Sequence, residues 1–226
     1  MRRRDFIRLA GGFMLSQLLP SFTEAKERKR LLRNENKPGF YIRFYKPFEP
    51  IDNNTWRLEI SGLCGKPTKL TLNDIHKLPS VTQVSRLKCV ECWSSKAKWT
   101  GFKPEVLFEL CKPLKTARYI YFHCADDYFE YISIEDLLKP KVLFVHTMNG
   151  KPLPPEHGAP LRLIIPFKYG YKSVKTITKL IFLEKGGNGY WSQYGYSADG
   201  TIQPGSDYRL DTGEIKEIIN PGDPGD

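Results

Sequence analysis

The sequence predicts a β-rich α+β fold in one domain. Short apolar or alternating runs recur along the chain, and helical patterns are few and brief. Eighteen glycines and 17 prolines break the runs into short pieces. At 226 residues and 40% hydrophobic, the chain is large enough for a real core, and a disordered protein is excluded.

Taken in order, residues 1–25 read as an export signal. Arg3-Arg4-Asp5-Phe6-Ile7-Arg8 follows the twin-arginine pattern, and Leu9 to Leu19 is a weakly apolar h-region containing Gly11 and Gly12. Thr23-Glu24-Ala25 offers a small-residue cleavage site. The competing reading is an amphipathic basic helix of the mature protein. Such a signal would send the protein to the periplasm. No later segment reaches the apolar length of a membrane span, so the processed chain is not expected to be an integral membrane protein.

Residues 26–37 are charged without apolar period and read as a linker or mobile arm. The domain is placed at 38–226. Ordered structure is expected to begin at Gly39-Phe40-Tyr41-Ile42-Arg43-Phe44. Trp56 to Ser61 alternates as a half-buried strand. Leu72 to Leu78 is a helical turn with Asn73 as its cap, and Val81 to Cys89 is extended. Pro104 to Cys111 is a helix opened by proline. Tyr119 to His123 and Tyr128 to Ile134 are strands, followed by a short helix from Ile134 to Leu138. Leu161 to Pro166 and Thr176 to Leu183 are further strands, and Gly186 to Gly189 is a turn.

The net charge is +10. Residues 1–25 hold Arg2, Arg3, Arg4 and Arg8 against Asp5 and Glu24, so the remainder stays strongly basic. That favours anionic ligands or acidic partners. Nucleic acid is disfavoured by export and by the lack of a binding motif. The five cysteines are Cys64, Cys89, Cys92, Cys111 and Cys124. The odd count leaves one thiol over, which a metal would occupy, while the other four are either reduced or bridged.

Two blocks carry the chemistry. The first is Leu87-Lys88-Cys89-Val90-Glu91-Cys92-Trp93-Ser94, followed by Trp99-Thr100-Gly101-Phe102. The second runs from Gly150-Lys151-Pro152 through His157-Gly158-Ala159-Pro160-Leu161-Arg162 to Lys168-Tyr169-Gly170-Tyr171-Lys172. On its own, Cys-x-x-Cys also fits a redox dithiol or half of a zinc site. The dithiol reading lacks a thioredoxin frame, and the zinc reading lacks a second close ligand pair. Arg86 and Lys88 flank Cys89 and would favour its thiolate, although strand alternation can turn them away.

The two blocks resemble the molybdopterin-binding domain of the sulfite oxidase superfamily, and within it the periplasmic methionine-sulfoxide reductases. The resemblance spans roughly residues 38–200. It implies the sulfite-oxidase-type fold and a molybdenum-molybdopterin cofactor (Mo-MPT). It makes Cys89, which stands before Val-Glu-x-Trp-Ser, the ligand to the metal and the catalytic residue. A soft thiolate suits molybdenum. By the same comparison Arg162 would grip phosphate, Lys172 would add a point charge and Gly170-Tyr171 would let the backbone approach. Tyr41, Ile42 and Arg43 fall on a pterin-contacting segment. His157 stands where the reductases have a cofactor-binding asparagine, and Cys124 where they have a threonine.

The stretch from Ala125 to Val145 is shorter than in those reductases. The sulfite-oxidising branch has an anion-pocket run after its cysteine, which Val90-Glu91-Cys92-Trp93 replaces; Glu91 would repel sulfite. Its dimerisation domain has no room here. The implied activity is therefore reduction of S-oxides, with methionine sulfoxide in oxidised proteins as a candidate substrate. Sulfite dehydrogenase and a metal-free exported thiol or binding module are the alternatives. Trp93 follows Cys92, so no haem-attachment motif is present. Electrons must come through a partner, either the membrane haem protein that the resemblance implies or a soluble cytochrome.

Overall fold

The structure is a computed structural model and describes residues 40–43, 46 and 49–225. The signal segment over 1–25 and the arm over 26–37 lie outside the described residues. Tyr41, Ile42, Arg43 and Lys46 belong to a short unit of their own, while Phe40 and residues 49–225 belong to the main body.

The main body runs β1 (Arg57–Gly62), β2 (Thr68–Thr71), α1 (Leu72–His76), β3 (Val81–Lys88), β4 (Trp93–Phe102), α2 (Pro104–Cys111), β5 (Tyr119–Cys124), β6 (Phe129–Ser133), α3 (Ile134–Leu137), β7 (Leu143–Met148), β8 (Lys151–Pro152), β9 (Arg162–Ile164), β10 (Ile177–Leu183), β11 (Gly205–Arg209) and β12 (Glu214–Ile218). One sheet has the order β2-β1-β10-β5-β6. The other has the order β12-β11-β4-β7-β8, with β3 also paired to β4 and β9 to β7. Pairs β1/β10 and β4/β11 are parallel, and the rest are antiparallel. The architecture is β-rich α+β, as the sequence predicts.

Alternation builds the core. On β5, Ile120, Phe122 and Cys124 are buried, whereas Tyr119, Tyr121 and His123 are only partly covered. Phe122 stacks on Phe144 of β7 at 6.1 Å between centroids, and Phe144 on Phe102 of β4 at 5.3 Å. These rings join the two sheets within one large cluster. Each fully buried ring contributes about 1.5–3 kcal/mol. Leu143 and Val145, the neighbours of Phe144, point into a second cluster with Leu87, Ala97 and Trp99. Strand β7 is therefore buried on both faces. A Cβ on Gly101 would fall 1.8 Å from the carbonyl oxygen of Phe144, so only glycine lets β4 approach β7 there.

Local chemistry sets the helix ends. Helix α1 is capped by Thr71, not Asn73: the Asp74 amide donates to Thr71 Oγ1 at 3.1 Å, and the Thr71 amide donates to Asp74 Oδ2 at 3.0 Å. Asn73 sits two residues after the cap and is itself helical. Helix α2 starts at Pro104 and ends where Lys112 turns left-handed at φ 52°. Ser133 caps α3 by accepting from the Asp136 amide at 3.0 Å. Strands β2, β4, β7, β8, β11 and β12 were not anticipated from the sequence.

Candidate functional site

Cys89 sits at the tip of a hairpin. Strands β3 and β4 pair in register from Val81↔Gly101 to Lys88↔Ser94, leaving Cys89 to Cys92 as the connecting turn. The Cys89 amide donates to the Trp93 carbonyl at 2.8 Å and closes it. Cys92 takes the left-handed conformation, φ 60°, which is uncommon for a residue with a Cβ. The Trp93 indole donates to Glu91 Oε2 at 3.2 Å. Cys89 is half-buried and Cys92 exposed, so the turn places its two sulfurs in different surroundings. Cys64, Cys92, Cys111 and Cys124 all stand as thiols.

The two cations before Cys89 are already engaged. Lys88 Nζ pairs with Asp207 Oδ1 at 2.9 Å, and Arg86 grips Asp211 through two nitrogens at 2.7 and 3.1 Å. They face β11 and the turn after it, as alternation allows, and their charges are spent there.

The second block folds back towards this turn. Gly170 backs onto β3: a Cβ there would meet Leu87 Cδ2 at 3.0 Å and the Lys88 carbonyl oxygen at 3.5 Å. The cofactor-type segment thus touches the residue before Cys89. Pro155–His157 form a short 3-10 turn ended by Gly158 at φ 102°, and β9 follows. Arg162 opens β9 and is buried. Its guanidinium donates to the carbonyls of His157 (2.9 Å) and Ser173 (3.2 Å) and lies 5.4 Å from the Trp99 ring centroid. Among the described residues no carboxylate forms an ion pair with Arg162. Burial alone lowers its pKa to about 9.

Lys175 lies beside it. Its ammonium donates to the Glu156 carbonyl at 3.3 Å. Burial, and then the Arg162 charge, lower its pKa to about 7. Cys124 closes the group. Its thiol is buried and pushed well up by burial and by Asp126, while the Lys175 charge works the other way. The Ala125 amide donates to the Thr176 carbonyl at 2.9 Å and fixes the end of β5 against this segment. The His157 ring meets Phe40 edge-on at 5.6 Å, and Phe40 meets Trp99 at 5.9 Å.

Arg162, Lys175, His157 and Cys124 are therefore gathered at one place. Lys172, expected there as a point charge, instead pairs with Glu130 Oε1 at 2.8 Å, with both side chains almost fully buried. Tyr171 is half-buried; its hydroxyl donates to the Ser197 carbonyl, and its own carbonyl accepts from the Tyr128 hydroxyl, both at 2.8 Å. The Gly170–Lys172 turn is held by these contacts, and the lysine nearest Arg162 comes three residues later. Lys175 does not stand out in the sequence. Its signal was present in the Ser173-Val174-Lys175 run, but nothing local separates it from Tyr171-Lys172. Tyr41, Ile42 and Arg43 lie in the short unit, where Arg43 donates to the Ile42 carbonyl at 3.3 Å and its guanidinium stands 5.5 Å from the Tyr41 ring centroid.

The donor set fits a phosphate-bearing cofactor. Burial disfavours the charge on Arg162, and burial with the Arg162 charge disfavours that on Lys175; an anion between them relieves both. Among the described residues no group of three or more His, Cys, Asp or Glu is gathered as a metal site. A metal carried by its own organic ligand needs one protein sulfur and a cradle for that ligand, where a closed zinc site needs four protein ligands.

Comparison with known proteins agrees. The family described as oxidoreductase molybdopterin binding domain matches residues 45–191. The protein-methionine-sulfoxide reductase catalytic subunit MsrP of Campylobacter jejuni is 30% identical over 234 aligned positions, covering 88% of this chain and 79% of that protein. A putative protein-methionine-sulfoxide reductase subunit, YedZ1 of Azospira oryzae, is 37% identical over 147 positions, covering 65% of this chain and 56% of that protein. MsrP of Xanthomonas campestris is 33% identical over 184 positions, with 72% and 56% covered. This chain thus spans little more than half the length of the last two. The sulfane dehydrogenase SoxCD from Paracoccus pantotrophus shares the fold at a TM-score of 0.62 and 19% identity, over 69% of this chain and 46% of that one. Matched across most of its main body, and with the cysteine turn and the buried cations inside the match, the chain belongs to the oxidoreductase molybdopterin-binding domain family and is an oxidoreductase.

Proposed function

We propose that this protein is an exported molybdenum-molybdopterin enzyme that reduces S-oxides, with methionine sulfoxide in oxidised proteins as substrate. The observation that carries the reading is the arrangement of the Cys89 turn: a half-buried thiol, with Gly170 packed on Leu87 and Lys88 just before it, in a chain whose buried Arg162 has the partly buried Lys175 near it and, among the described residues, no carboxylate paired with its guanidinium. The names of the reductase relatives supply the substrate class.

In this reading Cys89 gives the soft protein sulfur to molybdenum. Arg162 and Lys175 hold the cofactor's phosphate end, with Arg162 as a planar fork and Lys175 as a point charge. Gly170 lets the backbone come close, and Tyr171 and Lys172 brace that turn. His157 and Cys124 line the cradle. Tyr41, Ile42 and Arg43 fall on the pterin-contacting segment that the family resemblance implies. When bound, the group supplies two-electron oxygen-atom transfer. The sulfoxide takes two electrons and two protons and leaves as thioether and water. The electrons come from a redox partner protein, either a membrane haem protein or a soluble cytochrome. No helix among the described residues is long and apolar enough to cross a membrane. Residues 1–25 supply the twin-arginine signal, residues 26–37 the linker and residues 38–226 the catalytic domain in the periplasm.

The test is elemental analysis joined to reductant-driven activity on methionine sulfoxide, on the wild type and two variants. Wild type is expected to hold about one molybdenum per chain, as a single-thiolate site requires. Cys89→Ser loses activity and retains metal poorly, because a hydroxyl is a poor substitute for a soft thiolate. Cys92→Ser keeps substantial activity. A metal-free preparation from a host that makes the cofactor, or activity on sulfite alone, would sink the reading.

A further inference from the structure

The turn that presents Cys89 is held from outside the family match. Residues 45–191 carry the match, yet β11 (Gly205–Arg209) lies against the start of β4, with Tyr208↔Trp93 and Arg209↔Ser94 in parallel register. The Tyr208 amide donates to the Cys92 carbonyl, and the Leu210 amide to the Ser94 carbonyl, each at 2.9 Å. Asp207 sits between these contacts with its side chain fully buried. One carboxylate oxygen pairs with Lys88 Nζ at 2.9 Å, and the other accepts from Ser94 Oγ at 2.5 Å. Lys88 and Ser94 are the last residue of β3 and the second of β4. They are register partners, so the carboxylate bridges the two strands just below the turn. Arg86 adds a bond to Ser94 Oγ at 3.0 Å.

We propose that Asp207 is a positioning residue for the Cys89 sulfur. By tying Lys88 to Ser94 it fixes both ends of a four-residue turn whose left-handed Cys92 is the natural point for it to swing. A metal ligand needs placement to about half an ångström, and the groups behind it supply that. Burying the lysine and the carboxylate together is costly and is a poor route to stability alone. The placement of the pair one residue from the thiol gives it another use. The proposal rests on Cys89 being the ligand.

The experiment is Asp207→Asn in the holoenzyme, read three ways. Hydrogen exchange over residues 89–93, which include the Cys89 amide bonded to Trp93, is expected to accelerate. The thiolate-to-metal absorption band shifts. The turnover number falls by about tenfold or more with KM nearly unchanged, the range seen when groups behind a metal ligand are altered. A residue needed only for folding would lower Tm and leave the band and turnover as they were, which would overturn the proposal. A single buried lysine left alone can prevent folding, so Lys88→Gln/Asp207→Asn, which leaves no lone lysine and keeps the Arg209 guanidinium bonded to the Gly225 carbonyl, is the second variant. It is expected to fold and show the same three changes. Failure of both variants to fold at any temperature would assign the pair to the fold and also overturn the proposal. If the wild type carries no molybdenum, the functional reading falls, while the exchange measurement still decides whether Asp207 holds the turn.

Discussion

Lys175 shows at residue scale both what the site does and what the sequence concealed. Cys89 and Arg162 stand out in the sequence because each sits in a distinctive run. Lys175 does not, because lysines at 172 and 175 look alike until Glu130, distant in sequence, claims the first. Its environment makes a prediction. Lys175 is held down from 10.5 to about 7 in the folded protein, so between those values the unfolded chain binds more protons, and folding stability rises with pH. Arg162, lowered to about 9, acts in the same direction only above that value. Cys111 and Cys124, raised by burial, act in the opposite direction above about 9, where unfolded thiols ionise. The clean window is therefore from about 7 to about 9. Cofactor-free protein is expected to gain stability across it in chemical denaturation, and Lys175→Met to lose that gain. Bound anion restores the lysine's charge and flattens the slope in the holoenzyme. An equal slope with and without cofactor would show that no anion meets Lys175.

At the scale of elements, legibility followed the periodicity. Strands β1, β5, β6 and β10 and helix α2 were readable because one face is buried and the other is not, or because proline marks the start. Strand β4 was not, since Ser94 and Ser95 are buried among its apolar residues and blur the alternation. Strand β7 is buried on both faces and has no alternation to read. Strand β11 has little apolar pattern and β12 is short and mostly exposed, and contacts distant in sequence, with Lys88 and Ser94 for Asp207 and with Arg86 for Asp211, give these carboxylates their place. The doubly buried β7 also carries the largest mechanical consequence. Phe144→Ala removes the ring stacked between Phe102 and Phe122 and should cost about 3–5 kcal/mol, the range for a large core truncation. Val84→Ala, at a position 55% exposed on β3, should stay within about 0.5 kcal/mol. Denaturant titration of the two purified variants measures both. Similar midpoints would mean that the two sheets are not joined through Phe144.

For the whole molecule, the decisive quantity is charge. The chain carries +10, while the ion pairs nearest the site, Lys88–Asp207, Arg86–Asp211 and Lys172–Glu130, are closed on themselves. Charges neutralised this way add nothing to the long-range field, so the excess that a partner meets at a distance comes from lysines and arginines elsewhere, many of them exposed. On the proposed function turnover needs electrons from another protein, and a basic surface accelerates encounter with an acidic one. The steering acts through water and is screened over about 8 Å at physiological ionic strength. The second-order rate with the true donor, measured by stopped flow, should therefore fall as salt rises. The rate within the preformed complex should hold constant, because it depends on contacts already made. A second-order rate indifferent to salt would remove electrostatic steering and direct the search to a donor that docks through apolar contacts, for which exposed Tyr194 and Tyr196, at 64% and 40%, are the first residues to replace.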